Sequence, residues 1–198
     1  MSNIKTLILE RIKENEFAAF TSSDFLDIAN YKSVSKALES LEDEGKIRRA
    51  RRGVYYLPVY NDFLCFEEAP NIDGIAKAIA RQYNWIIVPS GNYALNILGL
   101  STQVPNAYTY ISNGPYNEYD IHGNVIYFKH TTSRLVSILP YKVLIVIQAL
   151  KTLGSENVNE AILIKIKSFL DSDDKKSIMS NKSKITSWIY DILRKVCE

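Results

Sequence analysis

Between Tyr31 and Tyr56 stand seven basic residues: Lys32, Lys36, Lys46, Arg48, Arg49, Arg51 and Arg52. Ammonium and guanidinium groups at this density suit the closely spaced phosphates of a nucleic-acid duplex. Four acids, Glu39, Glu42, Asp43 and Glu44, share the span, so seven minus four leaves +3. The order says more than the sum. Lys32 and Lys36 lie at the start of a predicted helix and the acids in its C-terminal half, while the arginines lie on a predicted hairpin. A helix that reads DNA presents its N-terminal side chains to the base edges, so the bases stand where DNA would need them. The acidic end is expected to face away. A solvated hairpin is the plain alternative. The placement of Arg51 and Arg52 beside Gly53, at the expected tip, favours phosphate contact over it. Arg48 and Arg49 alternate along the strand, so at most one of them is expected to point at DNA.

The elements that must position these residues follow from apolar spacing. Ile4, Leu7, Ile8 and Ile12 predict a first helix. Phe17 to Phe20 is a short extended piece. Thr21-Ser22-Ser23-Asp24 has the spacing of a capping box and starts a second, short helix at Ser22. Asn30 caps a third helix from Tyr31 to about Glu44, with Val34, Ala37, Leu38 and Leu41 inward. Its outward face near the start carries Tyr31, Lys32, Ser35 and Lys36. Gly45 ends it, and a hairpin follows with strands 46–50 and 54–57. Three helices and a hairpin, over residues 1–58, is the order of a winged helix-turn-helix.

Elsewhere the chemistry is thin. Pro89-Ser90-Gly91 follows a predicted strand, but the Gly-x-Ser-x-Gly of a nucleophile elbow is missing, and a turn with a helix cap is the better reading. His122 and His130 are the only histidines, and they lack metal-ligand spacing to cysteine or carboxylate. Cys65 and Cys197 stand far apart, which is no disulfide framework. No cofactor, metal or enzymatic activity is expected. The hydrophobic share of 46%, charged share of 23% and net charge of +2 describe an ordinary globular protein and name no partner. Met1-Ser2-Asn3-Ile4-Lys5 does not begin a signal peptide. The most apolar stretch, Val143 to Leu150, is far shorter than the ~20 residues of a membrane span. A cytoplasmic protein with no membrane partner is expected.

A linker-like stretch between about 58 and 70 predicts a domain boundary, with a second domain over 70–198. That domain reads as a helix over 72–83, a strand over 85–88, a helix over 92–98 and strands near 107–112, 118–122 and 125–130. Asn113-Gly114-Pro115 and His122-Gly123-Asn124 supply the turns between those strands. Helices near 135–153, 158–170 and 182–195 form a tail over about 133–198. The fold class is α+β: an N-terminal winged helix-turn-helix, a mixed α/β unit and a helical C-terminal tail. The 158–170 helix is apolar almost all round. It suits either packing against the α/β unit or a homodimer interface, and the sequence leaves both open.

Several of these runs resemble a known family. Phe20-Thr21-Ser22-Ser23-Asp24-Phe25-Leu26, Val34-Ser35-Lys36-Ala37-Leu38-Glu39-Ser40-Leu41, Gly45-Lys46-Ile47-Arg48-Arg49 and Arg52-Gly53-Val54-Tyr55 are similar to the AbiEi-like antitoxins, and most of all to their DUF6088 branch. Pro89-Ser90-Gly91, Ala94-Leu95-Asn96, Leu98-Gly99-Leu100-Ser101-Thr102-Gln103-Val104-Pro105, Thr109 to Gly114 and Ile126-Tyr127-Phe128-Lys129-His130 extend the likeness to roughly residues 5–150. The resemblance implies an antitoxin of a type IV, abortive-infection toxin–antitoxin system. Such proteins bind inverted repeats in their own promoter DNA and repress the operon. The partner toxin resembles a nucleotidyltransferase and is countered without a tight stoichiometric complex. Glu42-Asp43-Glu44 departs from relatives that carry arginine there. A protein-interaction module, or a nucleic-acid-modifying enzyme using Ser90, Lys129 and His130, are the alternative readings.

Overall fold

A computed structural model describes residues 2–63, 65–103, 105 and 107–197; Met1 and Val104 of the runs above lie outside them. Among the described residues the chain forms eight α-helices and nine short strands, a mixed α+β architecture. It divides into two compact units, Met1–Trp85 with Ile121–Gly123, and Ile86–Asp120 with Asn124–Glu198. The stretch expected as a boundary, 58–70, therefore falls inside the first unit.

In the first unit, α1 (Ser2–Glu14) buries Ile8 and Ile12, while Leu7, expected on the same stripe, is 42% exposed. β1 (Phe20–Thr21) leads into Ser22–Phe25, which is a single 3-10 turn and not the short α-helix expected. The capping interaction is present: the Thr21 N–H donates to Asp24 Oδ2 at 2.8 Å. Turns continue through residues 26–29, with the Ile28 and Ala29 N–H groups both donating to Phe25 O, before Asn30 becomes extended (φ −62°, ψ 157°) to cap the next helix. That next helix, α2 (Tyr31–Asp43), starts where the Asn30 side chain accepts from the Ser33 N–H at 3.0 Å. It ends where Gly45 takes φ +70°, with the Lys46 N–H donating to Leu41 O.

β2 (Arg48–Arg51) and β3 (Val54–Tyr56) form a hairpin, and β1 adds to its other edge in the order β1-β3-β2, all antiparallel. One face of this sheet is apolar against the helices. Phe20, Phe25, Val34, Leu38, Leu41, Ile47 and Tyr55 join Ile8 and Ile12 in one core. Fully burying a side chain of this size contributes roughly 1.5–3 kcal/mol. Val54 and Tyr56, on the other face, are buried as well, and α3 (Ile72–Gln82) packs against β1 and β3. Gly74 permits that contact, since a Cβ there would stand 2.5 Å from Ala18 Cβ. Between β3 and α3 the expected linker contains a two-rung antiparallel ladder, β4 (Tyr60–Asn61) with β5 (Phe66–Glu67).

The second unit is built on a four-stranded sheet of β6 (Ile87–Pro89), β7 (Ala107–Ser112), β8 (Asn117–Ile121) and β9 (Asn124–His130), in the order β6-β7-β9-β8. β7 and β9 run parallel, in register from Ala107↔Val125 to Ser112↔His130. Residues 113–116 are thus no hairpin turn but a crossing over the end of β9. His122 (φ +52°) and Gly123 (φ +85°) make the true two-residue turn, both with the positive φ such hairpins require.

Pro140 divides the helix expected over 135–153. A 3-10 turn (Arg134–Ser137) precedes it and α5 (Tyr141–Leu153) follows, because a residue before proline is steered out of the α region. α5 is buried on all sides, from Val143 to Ile147 and at Ala149 and Leu150, and packs with α4 (Gly91–Ile97). α6 (Glu160–Phe169), expected to be apolar all round, buries Ile166 fully and leaves Ile164 68% exposed. α7 (Ser172–Ser180), not foreseen, begins at an Asp171/Asp174 capping box, and α8 (Ser187–Cys197) closes the described chain.

Candidate nucleic-acid interface

α2 buries Val34, Ala37, Leu38 and Leu41. At 3.6 residues per turn, Lys32, Ser35, Lys36 and Glu39 then lie along the opposite side. Lys32, Lys36 and Glu39 are exposed and Ser35 is half-buried, while Tyr31 is 60% exposed at the first turn. Lys32 and Lys36, with Ser33, Ala37, Ile4 and Lys5, also line a shallow hollow between α2 and α1. The helix therefore presents cations on a face that its own core leaves open.

The hairpin arginines sort differently from simple alternation. The register pairs Arg48 with Tyr56, Arg49 with Tyr55 and Arg51 with Val54, with a bulge between Arg49 and Arg51. Cross-strand partners share a face, so Arg48 and Arg51 lie on one side and Arg49 on the other. Arg49, on the α2 side, spans to that helix. Its Nε donates to Glu42 Oε2 at 2.8 Å, and its guanidinium lies 5.3 Å from the centre of the Tyr55 ring. The Glu42 carboxylate raises the Arg49 pKa, and burial raises that of Tyr55. Arg48 sits at the base of the hairpin, donating to Gly45 O at 2.8 Å and pairing with Glu67 Oε2 at 3.0 Å. Both arginines are thus engaged within the chain. Arg51 ends β2, and exposed Arg52 turns the chain with Gly53, whose φ of +80° meets no neighbour within 4 Å.

The acids near the C-terminal end of α2 differ in their surroundings. Glu42 is held by Arg49. Glu44 is bracketed by Lys5 and Lys46, the latter at 2.8 Å, and these hydrogen bonds lower its carboxyl to about 2. Glu39 stays on the exposed face with Lys32 and Lys36, without an ion pair among the described residues. Sequence reasoning weighed the charges but missed these pairings and Glu67 altogether. The seven-residue spacing of Glu42 and Arg49 across a predicted helix end and hairpin was the available signal.

Ser90 and His130 have structural partners. The Ser90 N–H donates to Thr109 O at 2.8 Å where α4 begins, and its buried hydroxyl lies 3.5 Å from the same oxygen. His130 Nδ1 lies 2.8 Å from Gly114 O, with its ring against Tyr116, and so fastens the crossing between β7 and β8. No helix among the described residues is long and apolar enough to cross a membrane.

The chain is a mixed α+β protein in which Lys32 and Lys36 share an exposed helix face with Glu39, beside a hairpin that carries Arg48, Arg49, Arg51 and Arg52. A family model matches residues 7–178, and the chain belongs to that family, DUF6088, described as a family of unknown function. No curated protein matches the chain.

Proposed function

We propose that residues 1–58 are a winged helix-turn-helix that binds double-stranded DNA, with α2 in the major groove and the β2–β3 turn against phosphate. The observation that carries this reading is the exposed face of α2. Tyr31, Lys32, Ser35 and Lys36 stand at its start, while Glu42 and the capping Glu44 are neutralised by Arg49, Lys5 and Lys46. Arg51 and Arg52 extend the cationic surface at the hairpin tip. A helix N-terminus also offers its unpaired N–H groups to phosphate. By its likeness to the AbiEi-like antitoxins, the protein is a cytoplasmic autorepressor of its own operon and the antitoxin to a nucleotidyltransferase-like toxin.

Purified protein is titrated against labelled DNA from upstream of its own reading frame, at rising salt. Salt-sensitive binding to an inverted repeat supports the reading, and absence of binding at low salt overturns it. Co-expression with any nucleotidyltransferase-like gene found beside its reading frame tests the antitoxin role through rescue of growth.

A further inference from the structure

We infer that Glu39 is a base-reading residue that selects a cytosine in the major groove; this rests on the DNA-binding reading above. The three acids of α2 and its capping residue Glu44 differ in their surroundings. Glu42 and Glu44 are tied down on opposite flanks of the helix by Arg49 and by Lys5 with Lys46. Glu39 is exposed one turn beyond Ser35 and Lys36 on the outward stripe; among the described residues no salt bridge holds it, and its charge acts on Arg49 and Tyr55 only at longer range. A carboxylate facing phosphate is repelled, whereas one facing base edges is a pure acceptor. The major-groove donors are the amino groups of cytosine and adenine, and cytosine N4 is the partner that suits a carboxylate. Lysine in turn suits the O6 and N7 acceptors of guanine.

Lys36 and Glu39 are separated by three residues, about 4.5 Å along the helix axis, so both stand on one short stretch of the outward face. Asp43 lies a further turn away, with a shorter side chain. Glu39 therefore limits affinity and supplies specificity at once: an exposed acid that no salt bridge holds penalises every duplex that offers it no amino group.

The test is selection of binding sites from a randomised duplex pool by the full chain, by Glu39→Gln and by Glu39→Ala. The wild type is expected to enrich cytosine at one position of the site. Glu39→Gln shifts that position toward adenine, and Glu39→Ala relaxes it with the remaining positions kept. Loss on the original site for Glu39→Gln is expected to be roughly 5- to 150-fold, the range of one good base contact. Identical preferences for all three proteins, or uniformly tighter binding of every duplex by Glu39→Ala, overturn the role of Glu39 alone. A wild-type protein that binds no duplex overturns the DNA reading and this inference together. Melting of each variant shows that folding is intact, as expected for an exposed helical position.

Discussion

Arg81 on α3 and Asp24 in the 3-10 turn, 57 residues apart, are joined by a bond of 3.0 Å from Nε to Oδ1. Asp24 also accepts from the Thr21 N–H, and Arg81 donates to Ala19 O at 2.9 Å while lying over the Phe17 ring. One carboxylate thus serves both a local cap and a distant helix. Asp24→Ala is expected to destabilise the fold by about 1–3 kcal/mol, because the Thr21 N–H and hydroxyl and the Arg81 guanidinium lose their shared acceptor. Urea unfolding of Asp24→Ala, Arg81→Ala and the double variant gives the coupling. Additive effects would show that the pair is incidental.

Gly74 and Ala18 stand too close for a second Cβ. Gly74→Ala is expected to cost about 1–3 kcal/mol through overpacking, although alanine is the better helix former. Ala18→Gly in the same protein should recover part of the loss, and a melting temperature that stays low in the double variant would contradict the contact.

The cations of α2 and the hairpin separate by role. Lys32→Ala with Lys36→Ala, and Arg51→Ala with Arg52→Ala, are each expected to weaken DNA binding and reduce the salt slope by about 0.9 for every phosphate left without its cation. Arg49→Ala removes the link to Glu42 and is expected to lower stability while leaving the slope nearly unchanged. Anisotropy titrations between roughly 50 and 200 mM salt read both quantities. A slope change for Arg49→Ala as large as for the tip variant would make Arg49 a DNA-binding residue.

How much of this was readable in the sequence depends on the range of each interaction. α2 was readable because its cap, apolar stripe and terminating glycine are all local. α7 was not, since it buries only Asp174 and Ile178 and so leaves no stripe to count. The strands of the second unit were visible in their alternation. Their order was not, because the 113–116 crossing depends on His130 from another strand. The partners of Arg48 and Arg49 depend on where a helix, a hairpin and a further strand approach in space, so charge counting could not find Glu42 or Glu67.

Acid should act through Glu44. Its carboxyl lies at about 2 in the folded chain against an ordinary 4.5. Its stabilising contribution is therefore complete above about pH 4.5 and lost as pH falls toward 2. Glu44→Gln should be less stable than wild type near neutrality and converge with it in acid. Added salt should narrow the gap, since the site is at the surface. A gap constant from pH 6 to 2 would exclude this linkage.

The crossing of β7 over β9 has a kinetic consequence. β8 and β9 are joined by His122 and Gly123 alone and can pair as soon as both are made. β7 must instead close a loop to residues eighteen positions on (125 − 107), with β8 already swung clear to the far edge. Loop closure is costly before the strands it joins can pair. The sheet is therefore expected to assemble from its last hairpin backward, with the parallel rung between β7 and β9 forming late and His130 fastening Gly114 as the bolt that follows.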